Sequence, residues 1–231
     1  EINKTLAKIA FANKDFKQVK HYLYQAASQA RLANRPVQEI RAYTLLSIYA
    51  SGLKFHQQKY DYVNKAKTLL GDYKLDGSHF MLIYYHFALF SNDNEIAVPY
   101  LKKVLALPRS GQNYWVQDQA TEILVEHYLD NKNYDAAHLV VKTQPIRPKQ
   151  MVLKARIWHH QQQLDSARQL LDQAFEQARL EYDVTTGLQA ALLLYQLTPT
   201  QPQLRAEYLA YMQSNADQAW LTRHQAELSQ K

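Results

Sequence analysis

The chain of 231 residues has 0 Cys. Disulfides, thiolate zinc sites and a cysteine nucleophile are therefore excluded. The absence also fits an oxidising compartment, where unpaired thiols are a liability. Only 5 Gly and 7 Pro are present, too few of the punctuators that turns between short strands demand, and there is little β-branched alternation. No window approaches the roughly 18 consecutive apolar residues of a membrane-crossing helix. The longest apolar run, residues 190–195, has the length of an ordinary buried helix segment. HExxH, a Gly-rich phosphate loop and GxSxG are all missing. The chain begins at Glu1 rather than Met and carries no charged and apolar leader. That reads as a fragment or processed form whose targeting segment is missing. Together with the absent Cys, it favours a periplasmic over a cytoplasmic setting.

What is present suits a folded, all-α chain. The hydrophobic fraction of 47% is enough for a core, and the charged fraction of 21% is ordinary. The formal charge of +6, from 27 Lys and Arg against 21 Asp and Glu, favours anionic partners weakly and serves solubility first.

Residues 151–178 show the plan. Ala167, Leu170, Leu171, Ala174, Phe175 and Ala178 form one apolar stripe at helical spacing. Met151, Ala155 and Trp158 form another, and the polar joint 161–166 is too short for anything but an antiparallel return. A helical hairpin cannot bury its apolar faces alone, so neighbours on the same plan are expected. The joints recur at Asp15-Phe16-Lys17-Gln18-Val19, Tyr60-Asp61-Tyr62-Val63, Asn94-Glu95-Ile96-Ala97, Asn133-Tyr134-Asp135-Ala136-Ala137 and Leu164-Asp165-Ser166-Ala167. Gly52 ends or bends a first helix over 38–50, Gly77-Ser78 opens the next over 79–90, and Pro99 predicts a late start or a kink in the helix after Asn94. Helices are expected over 184–197, 203–212 and, as a single last helix, 216–228.

The second-helix pattern is a small or β-branched residue, another position four later and another three after that. In the first helix of the fourth unit stand Leu124, Val125 and Tyr128, and in the fifth Ala155 and Trp158. Over roughly residues 2–178 this resembles the tetratricopeptide repeat family, although the family's Gly at the small first-helix position is nowhere present. The resemblance implies a right-handed superhelical solenoid of antiparallel hairpins, about five to six repeats plus a capping helix. Residues 1–178 would form five hairpins, and 179–231 a degenerate sixth hairpin and cap within the same continuous domain.

The resemblance also implies that first helices line a concave face. Carried over residue by residue, the partner-binding positions are His79 and His86 in the third unit, Glu122 and Glu126 in the fourth, and Lys149, Arg156, His159 and His160 in the fifth. Glu126 and Arg156 have an equally good reading as a simple bridge between hairpins. The family's clamp for a terminal carboxylate finds Lys4 and Lys8 but lacks its Asn.

Chemistry finds little footing. His159 and His160 diverge by about 100 degrees on a helix and cannot chelate one ion together. His79 and His86 lie two turns apart. Glu122 and Glu126 have no third partner for acid–base work. The basic run Arg147, Lys149, Lys154, Arg156 has only Trp158 as a stacking platform, which disfavours nucleic acid. The expectation is a non-enzymatic module without cofactor or metal that binds a protein, a peptide or another domain of its own parent chain, as part of a larger regulatory protein. This segment itself would not insert into a membrane. The alternatives are a small-molecule sensor caged by Tyr84, Tyr128 and Trp158, and a homodimer scaffold using Trp220 and the last helix.

Overall fold

The computed structural model describes residues 2–72, 81–90, 94–108 and 114–229. Among them there is no strand, and fourteen helices follow in order. They are α1 (Ile2–Ala12), α2 (Phe16–Leu32), α3 (Pro36–Gly52), α4 (His56–Asp72), α5 (Met81–Leu89), α6 (Asn94–Ala106) and α7 (Tyr114–Asp130). Then come α8 (Tyr134–Lys142), α9 (Pro148–His160), α10 (Leu164–Leu180), α11 (Val184–Leu197), α12 (Pro202–Asn215), α13 (Gln218–Arg223) and α14 (Gln225–Leu228). The chain divides into two compact units, Glu1–Thr121 and Glu122–Lys231, with the boundary inside α7. The first unit holds 16 Lys and Arg against 9 Asp and Glu, the second 11 against 12, so the whole positive excess belongs to the first.

Six of the described joints share a turn that repeats almost unchanged. At 13–15, 33–35, 53–55, 131–133, 161–163 and 181–183 three residues reverse the chain. The middle one is left-handed each time: Lys14 (φ 58°), Asn34 (52°), Lys54 (63°), Lys132 (54°), Gln162 (62°) and Tyr182 (56°). The next residue then donates its N–H to a carbonyl five positions back. Asp15 reaches Ala10 at 2.9 Å, Arg35 reaches Ala30 at 2.8 Å, and Phe55 reaches Ala50 at 2.8 Å. Asn133 does the same to Tyr128 at 2.8 Å, Gln163 to Trp158 at 2.9 Å and Asp183 to Ala178 at 2.9 Å. This is the Schellman closure, which satisfies carbonyls that a helix end leaves orphaned. The residue that completes it also starts the next helix. Asp15, Asn133 and Asp183 accept from the backbone N–H of Gln18, Ala136 and Thr186, and Pro36 stands at the first position of α3. Lys at three of the left-handed positions places positive charge beside the negative end of the preceding helix.

Reversal in three residues makes the helices on either side of these six joints antiparallel neighbours. In the first unit α1 to α4 pack in succession, α5 packs on α6, and α3 meets α5. Val19, Leu23, Ile40, Leu46, Phe87 and Leu101 are buried there. Glu39 is fully buried and held by Arg31, whose Nε lies 2.9 Å from Oε1. The amide of buried Gln117 donates to the carbonyls of Val104 at 3.1 Å and Leu107 at 2.8 Å, closing the end of α6 from the side of α7. In the second unit α8 to α12 pack in succession and α9 meets α11. Its core gathers Val152, Ala155, Ala167, Leu171, Phe175, Leu188, Leu194 and Met212.

The hairpin over 151–178 stands as α9 and α10. Other expectations are corrected. The joint placed at Tyr60 to Val63 lies inside α4, and the reversal is at 53–55. Val19, Ala137 and Ala167 each follow their left-handed residue by five, and the equivalent position in α4 is Lys59. With Phe55 where the other joints carry a capping side chain or a small residue soon after, that turn is invisible to the pattern. Gly52 is the last residue of α3, as expected, although the left-handed residue of the turn is Lys54. A Cβ on Gly52 would stand 2.8 Å from the Phe11 ring, which stacks on Tyr49. α6 begins at Asn94 with Pro99 inside it, so there is no late start. The single last helix is two, parted at His224 (φ −99°, ψ 9°). Gly77 and Ser78 lie outside the described residues.

Left-handed backbone costs a residue with a Cβ about 1–2 kcal/mol, and the Tyr182 side chain, 89% exposed, gains nothing in return. Tyr182→Gly is expected to stabilise the chain by about 1 kcal/mol, raising Tm by roughly 2–4 °C. Gln169→Gly, in the exposed middle of α10, is expected to cost about 1 kcal/mol. Thermal unfolding of the two variants followed by circular dichroism checks the opposite signs.

Candidate functional site

Within the second unit, one face carries side chains from α7, α9 and α11. Glu122 and Glu126 lie one turn apart on α7. Lys149 Nζ reaches Glu122 Oε2 at 2.8 Å, and the Gln189 amide of α11 donates to Glu122 Oε1 at 3.3 Å. Arg156 grips Glu126 with both terminal nitrogens, one of them 2.8 Å from Oε2. Glu122, Glu126, Lys149 and Arg156 thus meet as two ion pairs. Burial raises the Glu126 pKa, and its like-charged neighbours Glu122 and Asp130 add to the rise against the pull of Arg156. The pair is partly desolvated, so Arg156 is a required counterion more than a source of net stability.

Beside this ladder runs a cleft of about 790 Å³. Its floor is apolar, from Val152 on α9 and Val184, Leu188, Leu192 and Leu193 on α11, with Arg156, Gln189 and Gln196 at the polar edge. The opposite wall is formed by Asn215, Asp217, Trp220, Arg223, His224 and Glu227. The Trp220 and His224 rings lie 4.3 Å apart, and His224 Nδ1 is 2.8 Å from Glu227 Oε2. Gly187 lets α12 approach α11: a Cβ there would stand 2.3 Å from the Tyr211 hydroxyl, and Tyr211 packs edge-on against Phe175 at 4.9 Å. Of the partner-binding positions nominated from sequence, Arg156 lines this cleft, and so does Trp220, named for the homodimer reading. Gln189, Leu188 and Leu192 were not nominated. The available signal was Gln189 and Gln196, seven apart on an otherwise apolar helix.

The remaining nominated residues lie elsewhere. His79 is outside the described residues. His86 belongs to the first unit, where its ring stacks on Phe90 at 5.6 Å and its Nδ1 is buried without a hydrogen-bond partner. Burial pushes its pKa down from 6.5 to about 4. His159 and His160 end α9 with rings 6.1 Å apart, and the His159 pKa is lowered by burial, then by His160 and Arg156. Tyr84 is buried against Tyr100 in the first unit. Tyr128 and Trp158 belong to the second, with Lys154 Nζ 4.5 Å over the Trp158 ring. None of the three lines the cleft.

A second cleft of about 560 Å³ lies among α8, α9 and α10, with Val141, Ile146, Met151 and Leu170 between Lys142 and Lys154. Among the described residues, no group of three or more His, Asp or Glu side chains could hold a metal ion. Nor is any described helix long and apolar enough to cross a membrane. No family model matches the chain, and no curated protein matches it.

The buried neutral His86 gives a signed pH dependence. With a folded pKa of about 4 against 6.5, the unfolded chain binds more protons between those values, so stability falls as pH drops through that window and is fully retained above it. The loss by pH 4 is expected to be about 3 kcal/mol. Urea unfolding at pH 7 and pH 4 should show that loss in the wild type and a smaller one in His86→Leu.

Proposed function

We propose that the chain is a non-enzymatic interaction module of the tetratricopeptide type, and that the cleft face of α7, α9 and α11 binds a peptide or an element of a partner domain. The observation that carries the reading is the reach of Glu122. From α7 it contacts both Lys149 on α9 and Gln189 on α11, as residues do where successive first helices curve around a hollow. The uniform three-residue reversals and the packing of α9 on α11 support a superhelical array of hairpins.

The chemistry of the cleft supports the same reading. A floor of Val and Leu with a glutamine and arginine edge offers apolar anchoring together with hydrogen bonds to a main chain, the combination that peptide grooves use. Glu122 and Glu126 on this face are engaged by Lys149 and Arg156. The second unit is close to neutral, so its partner is recognised by shape and short-range contacts rather than drawn in by a long-range field.

Random peptides displayed on phage and selected on the wild-type chain test this. Selected sequences are expected to lose at least tenfold in affinity on Thr185→Trp or Gln196→Trp, which fill opposite ends of the cleft from exposed positions of α11. They should bind Lys142→Trp, at the second cleft, as tightly as the wild type. Their affinity is expected to change by no more than roughly threefold between low and high salt, since no extended charge complementarity is involved. Binders indifferent to both cleft substitutions would refute the assignment.

A further inference from the structure

One wall of the cleft is supplied by the chain itself. Residues 217–228 form α13, of 6 residues, and α14, of 4, lengths that do not hold a helix in water. Their order is therefore borrowed from what they lie against. No residue of either helix is fully buried. The anchors are Trp220 and Leu228, both partly buried against the second unit's core, and a hydrogen bond of 3.0 Å from the Tyr195 hydroxyl to the Leu228 carbonyl. The Asp217 side chain caps Trp220 N–H at 2.7 Å, and His224 pairs with Glu227 at 2.8 Å, but both are internal to the segment. Trp220 and Leu228, eight residues apart, fall on one side of a helical run, while Gln218, Ala219, Thr222, Arg223, Gln225 and Ala226 are exposed. Two half-buried apolar anchors on a short helical segment whose other side is exposed, laid beside an apolar floor, is the form in which one chain's helix docks into another's groove.

We propose that residues 217–228 are an intramolecular occupant of this cleft, and that the site's external partner is an amphipathic helical segment presenting an aromatic and a leucine two turns apart, which binds by displacing them. The inference rests on the reading of the cleft face as the binding surface and names the class of partner it takes. Because the segment is covalently attached, its high effective concentration masks the cleft from weak competitors. The device selects for partners that match both anchors.

The test uses a fluorescein-labelled peptide of residues 216–229 and fluorescence anisotropy. The full chain carrying Trp220→Ala and Leu228→Ala should bind it saturably, and the wild type at least tenfold more weakly. Equal binding to both chains, or none to a double variant with native helical circular dichroism, would overturn the proposal. So would loss of helical structure in the double variant, because a displaceable segment is not needed for the fold. A phage-selected peptide that binds the wild type through α11 without speeding hydrogen exchange of residues 217–228 would sink this inference alone. If neither that peptide nor the 216–229 peptide binds, the failure lies with the cleft face itself.

Discussion

The three-residue reversal with a left-handed middle residue is the constraint on which the architecture depends. Helix ends expose carbonyls that must find donors, and a Schellman closure finds them without spending a longer loop. A connection this short admits only an antiparallel neighbour, so at these six joints a helix is laid against its predecessor. The residue five positions before the end of the closure is buried at five of the six turns: Ala10, Ala30, Ala50, Tyr128 and Ala178 pack where the chain folds back, and Trp158 is half-buried. Left-handed strain at Lys14, Lys54, Lys132, Gln162 and Tyr182 is tolerated because backbone hydrogen bonds are gained at each turn, with a side-chain cap besides at Asp15, Asn133 and Asp183.

Alternate helices of such an arrangement present their outer faces on one side. In the second unit this gathers α7, α9 and α11 beside the apolar floor of the cleft. Polar groups on that face are spent on each other: Glu122 with Lys149 and Gln189, and Glu126 with Arg156. The ladder links three helices at the rim of the cleft, while the Leu and Val floor beneath it is the surface we propose for recognition. The segment 217–228 adds a competitor to this surface. Its short helices are too poor in buried area to be a permanent part of the core, yet their two anchors are placed as a ligand's would be.

The helical hairpins were legible because their signal is local. A stripe such as Ala167, Leu171, Ala174 and Ala178 reports a helix face within one segment. Turn position was less legible, since the closure at 53–55 is held by backbone hydrogen bonds and a lysine in the left-handed region, neither of which leaves a residue signature. The amphipathic period runs on through His224, so the break between α13 and α14 could not be read from it. The Glu126–Arg156 bridge was foreseeable from repeat spacing. The part played by Gln189 was not, because its partner Glu122 is 67 residues away. His86 differs: a helical position equivalent to Arg156 by repeat register is, in the first unit, a half-buried ring stacked on Phe90.

The most direct test is a backbone amide footprint of the full chain by hydrogen–deuterium exchange, with and without a saturating phage-selected peptide. Protection over 152–156 and 184–196, with no change over the outer faces of α8 and α10, is the expected result. Protection confined to α8 and α10, or to the first unit, would contradict the assignment of the cleft face as the place where this chain meets its partner.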